Sequence, residues 1–223
     1  MGLNFQEGKK MPVQLVKLPI RRKDGLVLRI SKGHFATSHS HINYYIDVTQ
    51  QKFRLSEARA VAQELCGEFK MTTIIDTILC LDGTEVIGAC MASELTKSGY
   101  MNMNAHQTIY VLTPEHTSGS QLLFRENTAP MITGKHVMIL MASATTGFTA
   151  KSAIETVQYY GGHAVGISAI FATMKEVDGL PVTSIFDPND FDDYQSWDAH
   201  ECPLCKQGVK VDALVNSHGY SSL

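Results

Sequence analysis

The chain has 223 residues, 44% of them hydrophobic and 18% charged, with a formal net charge of −3. That balance suits a globular protein with a real core, and the length allows one large α/β domain or a domain with a small appendage. It excludes nucleic-acid binding through a basic surface, because no Lys/Arg run exceeds three residues, and it excludes a membrane helix, because no apolar run approaches the ~20 residues a span needs.

Val13–Leu18 and Leu26–Ile30 are apolar-rich runs joined through Asp24-Gly25, which predicts an N-terminal β-hairpin. Gly33–Val48 follows, rich in small polar and aromatic residues, with His34, His39 and His41; three clustered His without spaced acidic or Cys partners read as a polar loop. Ser56–Phe69 predicts an amphipathic helix with Ser56 as N-cap and a stripe of Ala58, Val61, Ala62, Leu65, Cys66 and Phe69. Thr73–Leu81 has the continuous β-rich character of a central parallel strand, and Asp82-Gly83-Thr84 turns it into a second helix, Glu85–Thr96. Thr108–Leu112 and Gln121–Phe124 read as short strands around a polar loop, Thr113–Gly119.

Val137–Met141 then has the length and composition of a buried strand. A Ser/Thr/Gly turn, Ser143–Thr149, leads into a helix with Ala150, Ala153, Ile154, Val157 and Tyr160 on one face, stopped by Gly161-Gly162. Strand, small-residue loop and helix together present backbone N–H groups and a positive helix end to a phosphate. An ordinary βα turn with a Ser/Thr cap has the same form. His163–Phe171 reads as the next strand, so the order is that of a doubly wound sheet.

The stretch from Val137 resembles the fingerprint by which type I phosphoribosyltransferases bind 5-phosphoribosyl 1-diphosphate (PRPP): an apolar strand, two acidic residues, two variable residues and a Thr/Gly loop entering a helix. The loop residues Ser143, Ala144, Thr145, Thr146, Gly147, Phe148 and Thr149 are the candidate phosphate site. Met141 and Ala142 stand where the family has the carboxylates that grip the ribose hydroxyls, and Asp76 or Asp82 can replace them only if folding brings one near. Asp82, Gly83, Thr84 and Glu85 correspond to the turn that holds the diphosphate, where Glu85 would repel it. Phe35, Ser38, His39 and Tyr44, with Tyr45 and Asp47, resemble the N-terminal motif of orotate phosphoribosyltransferases, a hood over the base. The family's closing loop carries Lys and His; here Thr113–Gly119 offers His116 and no Lys.

The resemblance spans Gly33–Phe171. It implies an α/β fold with a central parallel sheet flanked by helices, divided as a hairpin and hood (1–50), a core (51–186) and a C-terminal tail (187–223). It implies a homodimer that binds PRPP or a nucleotide-like small molecule and, with Mg²⁺, transfers a phosphoribosyl group to a pyrimidine-like base, a glycosyltransferase of nucleotide metabolism. The alternative is a catalytically impaired homologue that senses PRPP or a nucleotide. No residue is assigned as catalytic.

In the tail, Cys202-Pro203-Leu204-Cys205 can offer two thiolates to one tetrahedral ion. His200 is the candidate third zinc ligand, and His218 or a hood His the fourth; two reduced structural or redox-active Cys are the alternative. Cys66, Cys80 and Cys90 lie in apolar patterns and Met1–Lys10 is polar, so the expectation is a cytoplasmic protein with reduced core thiols.

Overall fold

Two sheets organise the chain in the computed structural model, which describes residues 16–19, 26–97, 99, 102–105, 108–117 and 121–222. In chain order, β1 (Val16–Pro19), β2 (Val27–Ala36) and β3 (His41–Asp47) precede α1 (Thr49–Phe53) and α2 (Leu55–Phe69). Next come β4 (Thr77–Cys80), α3 (Glu85–Leu95), β5 (Tyr110–Leu112), a small ribbon of β6 (Glu115–His116) and β7 (Leu122–Leu123), β8 (His136–Ala144), α4 (Phe148–Tyr159) and β9 (His163–Ala172). The tail holds β10 (Glu176–Val177), β11 (Leu180–Phe186), β12 (Ser196–Trp197), α5 (Pro203–Lys206), β13 (Ala213–Asn216) and β14 (Gly219–Ser222).

The core sheet has the order β10-β11-β9-β8-β4-β5. Every neighbouring pair from β11 to β5 is parallel. Parallel strands are covered on both faces, so they read as unbroken apolar runs whose alternate residues serve different helices. Ile78, Cys80, Met138, Leu140 and Ile170 pack with α2 and α3, whereas Leu79, Leu81, Val137, Ile139, Met141 and Ile167 pack with α4. The α2 stripe is buried where its period places it. The Cys66 and Cys80 thiols are pushed up to about 12 by burial, which suits inert core residues. Among the described residues no helix is long and apolar enough to cross a membrane.

From β4 the chain passes through α3 to β5 on one side, while β8 lies on the other. The carboxyl ends of β4 and β8 therefore meet where the winding reverses, the position at which open α/β sheets leave a crevice.

Several local expectations shift. The strand predicted over Thr73–Leu81 starts only at Thr77, because the Asn104 side chain takes the Ile75 N–H and donates to Thr73 O, diverting both from a ladder. Helix α2 begins at Leu55 with extended Arg54 before it, so Ser56 is not the cap. Within Thr113–Gly119, Glu115 and His116 pair with β7, reinforced by the Arg125–Glu115 ion pair; residues 118–120 lie outside the described ones. The N-terminal pairing joins β1 to β2, Val16 opposite Ile30, and its connection also lies outside the described residues.

The tail differs most from expectation. It does not stand apart: the second sheet has the order β12-β3-β2-β13-β14, with β1 also on β2. Trp197 pairs with His41, and Ala213 pairs with Phe35 in parallel. Strands this short, drawn from opposite ends of the chain, leave no periodic signal.

One turn tests the packing. Gly161 ends α4 in a left-handed conformation (φ 75°), and a Cβ on Gly162 would lie 2.7 Å from Ile132 O. Because the obstacle is backbone, Gly162→Ala is expected to destabilise by about 1–3 kcal/mol, read as a lower urea midpoint at unchanged slope. A wild-type midpoint would show that the turn relaxes freely.

Candidate functional site

A cleft of about 260 Å³ lies between the hood and the carboxyl edge of the core sheet. Its floor is Asp82, just past β4, with Ala142 and Ser143 at the end of β8. Asp82 is left-handed (φ 57°), and its Oδ2 accepts the Ala142 N–H at 3.3 Å. Burial pushes the Asp82 carboxyl up, against the opposing pull of that hydrogen bond and of the Lys52 ammonium. Lys52 is 3% exposed; its Nζ donates to Asp82 O at 2.7 Å and to Ser217 O at 2.5 Å, and burial lowers its pKa. It thus ties the turn after β4 to the tail hairpin, whose Val215, Asn216 and Ser217 also line the cleft.

Thr145, Thr146 and Thr149 form one wall. Gly147 supplies the left-handed N-cap of α4 (φ 77°), and Thr173 pins the loop by donating its N–H to Ala144 O and its hydroxyl to Thr145 O. The twelve-residue α4 therefore sets the positive end of its dipole at this wall. The opposite wall is the hood tip, Thr37, Ser38 and His39, with Ile42, Tyr45 and Ile46 beside it. Phe171 and Tyr194, ring centroids 5.2 Å apart, close the back, and burial pushes the Tyr194 hydroxyl up to about 12.

The residues singled out from sequence divide. Ser143, Thr145, Thr146 and Thr149 line the cleft; Ala144 packs inward on Ala169 and Ala172. Phe148 is 64% exposed and stacks obliquely on His39, 5.2 Å between centroids, so loop and hood tip touch. In the turn, Asp82 faces the cleft and Gly83 leaves room beside Lys52 Nζ, where a Cβ would come within 3.6 Å. Thr84 is buried, its hydroxyl donating to Leu81 O, and Glu85 is turned to Thr113, whose hydroxyl it accepts at 3.0 Å, and is not among the lining residues. Of the hood residues, Ser38 and His39 line the cleft but Phe35 and Tyr44 do not. Phe35 fills a small core with Ile42, Tyr45, Ala213 and Val215, and Tyr44 donates its hydroxyl to Asp193 at 2.6 Å. Tyr45, its neighbour in sequence, lines the cleft instead.

The two places of the expected acidic pair also separate. Met141 is 2% exposed in the core beneath α4, while Ala142 faces the cleft. Of the two substitutes, Asp82 reaches this spot. Asp76 lies at the opposite end of the sheet, where its carboxylate takes the His136 N–H at 2.8 Å and faces His136 Nδ1 at 2.9 Å; burial pushes that carboxyl up, and the His136 bonds bring it below its ordinary value. Lys52, Tyr194 and the tail hairpin were invisible to sequence reasoning, since a Lys in a short helix ordinarily reads as solvated.

A second constellation sits on the outer side of the hood. His34, His41, Cys202 and Cys205 bring one ligand atom each within 4.8 Å of the others. His200 is not among them: it lies in an exposed turn whose backbone N–H binds Asp198 Oδ1. The His partners of the Cys pair come from β2 and β3, which the topology of the tail brings over.

No protein-family model matches the sequence. The chain is 26% identical to the orotate phosphoribosyltransferase of Caldanaerobacter subterraneus subsp. tengcongensis over 185 residues, 82% of this chain and 88% of that relative. Its structure superposes on Mycobacterium tuberculosis H37Rv orotate phosphoribosyltransferase, solved with Fe(III) dicitrate, with TM-score 0.51 at 16% identity, covering 73% of this chain and 91% of that one. Leishmania donovani UMP synthase gives TM-score 0.53 at 18% identity over 72% of this chain and 34% of that much longer one. Adenine phosphoribosyltransferase from Thermoanaerobacter pseudethanolicus gives 0.50 at 15%, covering 78% and 95%. The mixed α/β fold is that of the type I phosphoribosyltransferases.

Proposed function

We propose that this chain, with its type I phosphoribosyltransferase fold and its sequence likeness to an orotate phosphoribosyltransferase, binds PRPP or a related nucleotide in the cleft. The observation that carries this is a juxtaposition: a hydroxyl-rich loop at a helix N-terminus and a cleft-facing carboxylate, Asp82, meet at the switch point of the sheet. In this reading a ribose phosphate lies against Thr145, Thr146 and Thr149, and the ribose hydroxyls reach Asp82. The diphosphate sits by the Gly83 turn and the Lys52 ammonium, and a planar base slots between the hood tip and Phe171 with Tyr194.

Among the described residues Asp82 is the one carboxylate lining the cleft. That fits Mg²⁺, which is commonly held by one or two carboxylates together with substrate phosphates. When bound, the ion would neutralise charge on the diphosphate. The reaction proposed is transfer of the phosphoribosyl group from PRPP to a pyrimidine-like base. A second reading, a binding protein that senses PRPP or a nucleotide with little turnover, is favoured by Met141, which gives the ribose no carboxylate.

Calorimetric titration separates the ligand classes. PRPP and ribose 5-phosphate are expected to bind with about one site per chain, and Thr146→Val with Thr149→Val to weaken both about tenfold or more, the loss of one or two hydroxyl donors to a charged group. Saturating PRPP that releases no heat and protects no residue of Thr145–Thr149 from hydrogen exchange would overturn the reading.

A further inference from the structure

We propose that His34, His41, Cys202 and Cys205 bind one tetrahedral zinc ion that fastens the tail to the hood. His34 Nε2 lies 2.9 Å from His41 Nδ1, 3.5 Å from Cys202 Sγ and 3.7 Å from Cys205 Sγ, and Cys205 Sγ lies 3.3 Å from His41 Nδ1. Zinc with ordinary N and S bond lengths at tetrahedral angles sets N···S separations near ~3.6 Å and N···N near ~3.3 Å. These four separations lie within a few tenths of an ångström of a tetrahedral zinc shell, and all four atoms lie within 4.8 Å of one another.

The surroundings prepare the ligands. His34 Nδ1 lies 3.0 Å from Val209 O. A carbonyl only accepts, so Nδ1 carries the hydrogen and Nε2 turns its lone pair to the cluster, the outer contact typical of a metal-bound imidazole. The backbone of His34 is clamped as well, its N–H donating to Asp212 Oδ2 at 2.8 Å and its carbonyl accepting the Asp212 N–H at 2.7 Å. Gly33 permits that approach, since a Cβ there would sit 2.6 Å from Asp212 Oδ2. On the Cys side, the chain turns through α5 to a left-handed Gly208 (φ 74°), so both thiols come from one tight bend. Cys202 is fully buried and Cys205 is exposed, which leaves an entry path. Two thiolates and two neutral imidazoles balance the charge of Zn²⁺, and this soft donor set selects zinc over the hard Mg²⁺ of a phosphate site.

The ion would act beyond its own ligands. His34 and His41 bracket the hood tip, Thr37–Ser40, and the Cys pair leads into β13 and β14; both segments line the cleft. Zinc at this position is a structural ion that shapes the cleft from behind.

Full-length, tag-free protein prepared in reductant without chelator is expected to carry about one zinc by elemental analysis, in the manner of a closed structural site. Cys205→Ser and His41→Ala should each reduce this to under about a tenth of an equivalent, the adventitious level, and His200→Ala should leave it unchanged. Should either ligand variant fail to fold, stripped wild type titrated with Co²⁺ gives the same answer: one equivalent taken up, with thiolate charge-transfer and tetrahedral d–d absorption. Wild type that contains less than about a tenth of an equivalent and takes up neither metal after reduction overturns the site. Loss of zinc in His200→Ala overturns the ligand set, and so does an octahedral cobalt spectrum.

Discussion

Met141→Asp is expected to destabilise the protein by about 3–5 kcal/mol, the usual consequence of a buried charge without a partner. For a chain of this size that corresponds to a fall of roughly 6–20 °C in Tm. Met141 is 2% exposed among Leu79, Ile139 and Ile167, beneath α4. None of these side chains can donate a hydrogen bond to a carboxylate. Ala142→Asp is a different case: Ala142 is itself only 3% exposed, but it borders the cleft, so a carboxylate there can turn toward the opening while meeting the like charge of Asp82. The single variants should therefore separate, with Met141→Asp losing the most stability and Ala142→Asp falling between it and wild type. Thermal melts followed by circular dichroism check this, and a Met141→Asp protein within about 1 kcal/mol of wild type would show that the strand end can swing the side chain out. The expected outcome also explains why restoring the acidic pair would not make a good enzyme. On sequence the obstacles are the Lys missing from the closing loop and Glu85 beside the diphosphate turn. In the fold Glu85 is turned to Thr113, and the larger obstacle is that position 141 belongs to the core.

The same residue marks the boundary of what sequence could show. The βα unit around Val137–Tyr160 was legible because a buried parallel strand and an amphipathic helix each have a strong period, and the turn between them is rich in Gly, Ser and Thr. The direction of each side chain at the end of that strand was not legible, because a one-residue uncertainty in the strand exchanges its two faces. The hood shows the same limit: Tyr44 and Tyr45 are equivalent in sequence, yet one bonds Asp193 and the other lines the cleft. Long-range pairing was the other gap. The Cys-x-x-Cys turn announced a half-site by its spacing, but its partners, His34 and His41, are separated from it by nearly the whole chain and are delivered by strand pairs that only tertiary structure makes. Lys52 is hidden for the same reason, being buried by a tail hairpin that joins the hood sheet from the far end of the sequence.

Asp82→Asn is expected to separate function from stability. Asn keeps the size of the side chain, can still accept the Ala142 N–H, and tolerates the left-handed backbone at φ 57°. Burial raises the folded pKa of the Asp82 carboxyl above its unfolded value, so its contribution to stability is fully present at acid pH and is lost as pH rises through the folded pKa. At neutral pH the amide removes that burden, and Asp82→Asn should melt at the wild-type temperature or above. Ligand binding should move the other way. A charge-assisted bond from a ribose hydroxyl contributes about 1.5–3 kcal/mol, so PRPP affinity is expected to fall roughly 10- to 150-fold. Wild-type affinity should weaken as pH is lowered through the raised carboxyl pKa, and the Asn variant should lose that dependence. On the proposed reading, in which Asp82 serves the ribose in place of an acidic pair, orotate-dependent diphosphate release from PRPP and Mg²⁺ is expected to run about one to two orders of magnitude below the ordinary enzyme range of about 1–10³ per second. Calorimetry, thermal melts and a diphosphate assay on the two proteins test all of this together. An Asn variant that binds PRPP as tightly as wild type would remove Asp82 from the ribose, and wild-type turnover within the ordinary range would mean that another group has taken over the second hydroxyl.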